Sequence, residues 1–175
     1  MSSRIGRIAT GAAAFISAWV AAAVPAPARI ETQPPPPPDA VTVREVQAGG
    51  AQVYACRSTA SGQFAWTLVG PKAVLINADG SDFGTHSAGP TWTATDGSSV
   101  SADGAHPLAK IERPRSVPAL LLKVVSSQGQ GILTAVRFVR RADTEGGAAP
   151  PTGCDAEHAD ATAAVRYSAV YTFYR

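Results

Sequence analysis

The final run of the chain, residues 165–174, alternates in character. Tyr167, Ala169, Tyr171 and Phe173 fall on one side of a two-residue period, and Arg166, Ser168, Thr172 and Tyr174 fall on the other, with Val170 the exception. An extended chain points successive side chains to opposite faces, so this pattern requires a half-buried β-strand. Residues 63–69 repeat it: Phe64, Trp66 and Leu68 alternate with Gln63, Ala65 and Thr67. Further runs rich in β-branched and aromatic residues occupy 41–47, 51–57, 73–77, 91–95, 119–126 and 133–141, between clusters of Gly, Pro, Asp and Ser. No helical stripe of a dozen residues interrupts them, and a short helix has room only between 155 and 164. Asp79-Gly80, Asp96-Gly97 and Asp103-Gly104 are hairpin-turn signals, because these residues tolerate positive φ. The expected fold is all-β, an antiparallel β-sandwich of about eight strands, with a closed β-barrel as the alternative.

Ahead of the strands lies an export pattern. Arg4 and Arg7 precede an apolar stretch over 8–24, no acidic residue occurs before Glu31, and Ala21-Ala22-Ala23 and Ala26-Pro27-Ala28 offer small-residue exits. Charge, apolar core and small-residue exit in that order predict a cleaved secretory signal at residues 1–28. An uncleaved anchor is the competing reading, but the run is short for a span of about 20 residues. No cysteine marks a lipoprotein site, and the separated arginines do not form a twin-arginine signal. Residues 29–39, with Pro34 to Pro38, read as a stiff linker in polyproline II, and 40–175 as a single β-rich domain. The expectation is a secreted or periplasmic protein with no membrane span after signal cleavage.

Loss of the signal changes the charge balance. The chain has 15 Lys+Arg and 13 Asp+Glu, and removal of Arg4 and Arg7 makes it neutral. Nucleic-acid binding needs a basic stripe that releases counterions from phosphates. The one cluster here, Arg137, Arg140 and Arg141, sits on an otherwise apolar strand, so no nucleic-acid partner is expected.

Cys56 and Cys154 are the only cysteines. An even count of two in an exported chain points to one disulfide. A metal site would pair Cys154 with His158, yet lacks the further ligands that zinc needs. No cofactor is expected.

Several segments together carry a resemblance. Residues 82–98 read DFGTHSAGPTWTATDGS, with Val53-Tyr54-Ala55-Cys56 and Phe64-Ala65-Trp66 upstream and Gly153-Cys154 and Tyr167-Ser168-Ala169 downstream. In order and spacing this resembles a family of secreted bacterial and fungal proteins classified as a domain of unknown function. The resemblance covers essentially the whole mature chain and implies export, size and paired cysteines, but no activity. Some fungal members carry a malate dehydrogenase label. The residues here do not fit it, having neither a Gly-x-Gly-x-x-Gly turn nor βαβ alternation.

Candidate chemistry concentrates in the same segment. His86 stands in a glycine-flanked loop and has an ordinary pKa near neutrality. With Asp96 and Ser87 or Ser98 it would supply triad residue types, although no Gly-x-Ser-x-Gly elbow is present. Trp92 follows Gly89-Pro90 at a strand entry and is a candidate for stacking on a ligand, whereas Trp66 is in phase with core positions. The 77–82 segment looks superficially like part of a calcium loop, but Leu75 and His86 stand at the two flanking positions where ligands belong. The expected binding surface is therefore His86, Trp92 and Asp96, for a small-molecule or glycan ligand or an envelope component. The alternatives are a structural or stress-associated envelope protein and an extracellular hydrolase. The oligomeric state is open.

Overall fold

The computed structural model describes residues 32–175. The expected signal peptide and residues 29–31 of the expected linker lie outside the described residues. Nine strands follow in order: β1 (Thr42–Ser58), β2 (Phe64–Ile76), β3 (Asp82–Ser87), β4 (Thr91–Ala94), β5 (Ser99–Ala102), β6 (Ala109–Arg113), β7 (Ser116–Gln128), β8 (Phe138–Gly146) and β9 (Thr162–Tyr174). The runs at 41–47 and 51–57 are one strand, and so are those at 63–69 and 73–77, bent where the β1–β2 register slips between Val53 and Tyr54. A bulge of this kind lets a long strand curve without leaving its ladder. Residues 133–137 are not strand: Leu133 and Val136 are buried in a turn ahead of β8. The segment open to a helix holds a single 3-10 turn, Ala156–His158, capped by the Asp155 carboxylate.

All ladders are antiparallel, and the order across the sheet is β5-β4-β3-β2-β1-β9-β8-β7-β6. The all-β antiparallel class therefore holds. Its layers are walls of one continuous sheet, because β5 also pairs β7 and the ladder returns on itself. β7 serves both neighbours along one edge, with β5 at Val124–Gln128 and β6 at Ser116–Leu121. Closure leaves the short β6, which pairs only with β7, as the strand with an open edge.

Two of the three Asp-Gly pairs close hairpins, β2–β3 at Gly80 and β4–β5 at Gly97, both with positive φ. The third does not. Asp103 instead accepts backbone bonds from Ala105 and His106 in the loop from β5 to β6, two strands that do not pair. The core fills the inside of the ring with Val46, Leu75, Trp92, Leu133, Val139, Tyr171 and Phe173, among others. The proline stretch joins no strand, yet Pro34 and Pro37 are buried and Gln33 bonds Asp143. Among the described residues no helix is long and apolar enough to cross a membrane.

Cys56, at the end of β1, forms a disulfide with Cys154, with Cα atoms 5.3 Å apart. Such a bond is compatible with an oxidising, extracytoplasmic setting.

Candidate functional site

His86 and Trp92 are direct cross-strand partners in the β3–β4 ladder. That position puts their side chains side by side on one face, and the rings stack with centroids 4.4 Å apart and 3° between planes. Tyr171 of β9 meets both edge-on, at 5.0 and 5.4 Å. Both residues are buried, His86 at 2% exposure and Trp92 at 1%. The predicted loop histidine is therefore an interior strand residue.

Its phase is unusual. Phe83 and His86 are both buried although three residues apart, because Leu75 pairs Gly84 while Ile76 pairs Asp82, a bulge that inserts one residue in β3. Gly84 is needed there: a Cβ would sit 1.9 Å from the Thr93 carbonyl oxygen.

The Nδ1 atom of His86 lies 2.9 Å from the Thr91 carbonyl oxygen. A carbonyl only accepts, so Nδ1 carries the ring hydrogen and Nε2 is left as an acceptor. Burial lowers the His86 pKa to about 4; the Thr91 bond opposes this and the nearby Arg141 charge adds to it. The imidazole is neutral at neutral pH. Because its folded pKa lies below the unfolded value, the unfolded chain binds more protons between pH 6.5 and about 4. Stability is therefore expected to fall by about 3 kcal/mol as pH drops through that window and to lose this slope at lower pH. Urea unfolding at pH 7, 5.5 and 4 measures it, and His86→Gln should flatten the dependence. An unchanged slope in that variant would assign the acid sensitivity to other groups.

Asp96 is not beside His86, and this corrects the expected three-residue cluster. It lies four residues past Trp92, about 13 Å along an extended chain, at the far end of β4. Its Oδ1 accepts from the Ser98 amide and hydroxyl at 2.9 and 2.6 Å, and its Oδ2 accepts from the Ile132 amide at 2.7 Å. The Ser98 hydroxyl leads the bonds that hold this carboxyl below the usual carboxylate range. Asp96 thus fastens the turn before β8 to the β4–β5 hairpin. Gly131 makes this possible, since a Cβ there would come within 2.2 Å of the carboxylate. The triad types do not assemble: Ser98 donates to Asp96 and accepts from the Leu133 amide, away from His86.

His86, Trp92 and Tyr171 line a cavity of about 530 Å³ that opens beside Leu68, Val69 and Val125. Those three rim residues are more than half exposed, so the apolar phase of 63–69 ends at a cavity mouth rather than in the core. Gln52 and Arg141 also line the cavity. Arg141 stands in register between Leu120 of β7 and Tyr171 of β9, which places it on the inner face. The basic cluster is thereby split, since Arg140 faces the other way toward Glu45 at 4.0 Å. Gln52 Nε2, Trp92 Nε1 and the Tyr171 hydroxyl are buried without a hydrogen-bond partner among the described residues. Each such group costs roughly 1–3 kcal/mol, and native folds keep few of them. The Tyr171 hydroxyl is near enough to Tyr167 and Arg141 to be influenced by both, without a well-formed bond to either.

The other singled-out residues have local roles. The Trp66 indole donates to Thr152 O at 2.9 Å and braces the segment before Cys154. His106 and His158 each bond an aspartate three residues earlier, Asp103 and Asp155. Residues 77–82 form a hairpin turn in which Asp79 accepts from the Ser81 amide and hydroxyl. Sequence reasoning missed Gln52, Arg141 and Tyr171 as a group. The available signal was polar character in the inward phase: Gln52 is in step with Val46, Ala48 and Tyr54, and Arg141 with Val139.

Fold and site together define a closed antiparallel sheet around an interior, solvent-open cavity with aromatic walls and buried hydrogen-bond donors. The chain belongs to the family described as Protein of unknown function (DUF3455), whose model matches residues 36–175. No curated protein and no solved structure matches the chain.

Proposed function

We propose that this chain is an exported, non-enzymatic binding protein that takes a predominantly apolar small molecule into the cavity beside His86 and Trp92. The observation that carries the reading is the cavity itself, with exposed Leu68, Val69 and Val125 at its mouth and unpartnered donors on Gln52, Trp92 and Tyr171 inside. Its volume lies within the roughly 300–1,000 Å³ of ordinary ligand pockets. Among the described residues its lining includes no Ser, Thr, Cys or Lys to act as nucleophile, and His86 is a weak base at neutral pH. This favours binding over acyl transfer. The Trp92 ring is stacked by His86 and met by Tyr171 and Phe173, which favours an apolar ligand over a sugar stacked on that indole.

The uncharged fluorophore phenylnaphthylamine tests the reading. Wild-type chain should bind one equivalent with a rise in emission. Ala105, exposed at the cavity edge, offers a plug: Ala105→Trp should weaken binding at least tenfold with an unchanged melting temperature. Binding that ignores the plug, or no binding up to the solubility limit, overturns the proposal. A purely structural envelope role is the second reading, favoured by the burial of Trp92 and the His86–Thr91 bond, and it expects the latter result.

A further inference from the structure

We propose that the cavity selects an amphipathic organic anion, a carboxylate or similarly small acidic group on an apolar body, with Arg141 as its counterion. This rests on the cavity being the ligand site and adds the chemistry of what enters it.

Arg141 projects from β8 between Leu120 and Tyr171, its cross-strand partners, so neither ladder neighbour supplies a negative charge. Its Nε–H is donated to the Pro118 carbonyl at 2.9 Å, which fixes the plane of the fork. The two terminal amino groups make no hydrogen bond of good geometry to an acceptor among the described residues. No carboxylate among those residues comes within ion-pair distance of them. Arg140 is the internal comparison: one residue earlier on the outer face, it meets Glu45 and lies over the Tyr174 ring at 5.9 Å. A guanidinium stays ionised at any ordinary pH. A charge facing a largely apolar enclosure is costly unless it is paired.

The neighbouring groups fit the same ligand. Gln52 Nε2 and Trp92 Nε1 are donors without partners among the described residues, and the Tyr171 hydroxyl can donate. A carboxylate is acceptor-only, with about four lone-pair sites to satisfy them, and an arginine fork matches its two oxygens. One acid lines the cavity, Asp103, and it is committed to its own loop, accepting from the Ala105 and His106 amides and pairing with the His106 ring. The remaining titratable rings of the lining, His86 and Tyr171, are both uncharged at neutral pH, burial lowering the one pKa and raising the other. The polar groups lie inside and Leu68, Val69 and Val125 at the mouth, so the acid group enters first and the apolar body fills the opening.

Displacement of phenylnaphthylamine by decanoate, decanol and decylamine at neutral pH separates the possibilities. Decanoate should displace the fluorophore at least tenfold more effectively than decanol, and decylamine should be weakest. Arg141→Gln should bring decanoate to the level of decanol, and Arg141→Lys should restore part of the difference. Equal displacement by decanoate and decanol on wild-type chain would overturn the anion proposal and leave the cavity reading standing. Failure of wild-type chain to bind fluorophore and all three amphiphiles would overturn both. A decanoate preference that survives Arg141→Gln in a folded variant would overturn the assignment to Arg141.

Discussion

Reducing the Cys56–Cys154 bond is expected to cost about 2–4 kcal/mol, against the chain-entropy value of about 4.7 kcal/mol for a loop of about 100 residues. The bond spans 98 residues, so most of the sheet lies within the loop that it closes. In the native state it fastens a segment with little regular structure of its own, from Gly147 to the start of β9, to a cysteine that is fully buried. Backbone bonds already dock that segment: Cys56 donates to Ala161 O at 2.8 Å, and Asp160 donates to Cys56 O at 3.0 Å. The realised loss should fall below the chain-entropy value because a compact denatured chain has less loop entropy to regain. Urea unfolding of the oxidised chain and of the Cys56→Ser/Cys154→Ser variant should show a lower midpoint for the variant. Its denaturant slope should be steeper, because an uncrosslinked denatured chain exposes more surface. An equal slope with an equal midpoint would mean that the native ladder alone carries the stability.

Trp92→Ala is expected to cost about 3–5 kcal/mol, the range for deleting a large aromatic from a core that closes only partly around the gap. Trp92 is 1% exposed and touches His86, Tyr171 and Phe173, which come from two strands separated in the chain by some 70 residues. Its loss therefore loosens the packing between β3–β4 and β9 across the inside of the ring. Trp92→Phe should cost less than half as much. It keeps an aromatic ring against His86, and the indole N–H that it removes has no partner among the described residues. Guanidinium unfolding of both variants measures the difference. Equal costs would indicate that the indole N–H is bonded in solution, by water or by a bound molecule.

Several features were legible in the chain alone. In β9 Tyr167, Ala169, Tyr171 and Phe173 are all buried, as their alternation requires of an inward face. Thr172 and Tyr174 of the opposite phase are buried as well, Thr172 donating to Glu45 and Tyr174 lying under Arg140. Asp79-Gly80 and Asp96-Gly97 close hairpins because their φ preferences are local. A sole cysteine pair has one intramolecular partner to find. These inferences need only the chain's own geometry and the two-residue period.

The candidate site was half legible. His86 and Trp92 are together because they are close in sequence and joined by a short hairpin, Ser87 to Thr91. Asp96 looked like their companion on the same grounds, but an extended β4 carries it away, and its bonds go to Ile132 and Ser98. Arg141 and Gln52, 89 residues apart in the chain, share the cavity lining through the ring of ladders, which no local pattern records.

The all-β class, the disulfide partners, two hairpins and the inward phase of β9 follow from the chain's local pattern, as consequences of short-range sterics and period. Tertiary structure alone decided three further points: the pairing of β5 with β7 that closes the sheet, the β3 bulge that buries both Phe83 and His86, and the turning of Arg141 inward while Arg140 faces Glu45. The first and third depend on non-local strand pairings and the second on a slip within the β2–β3 hairpin, and a shift of one residue in register exchanges the inner and outer faces.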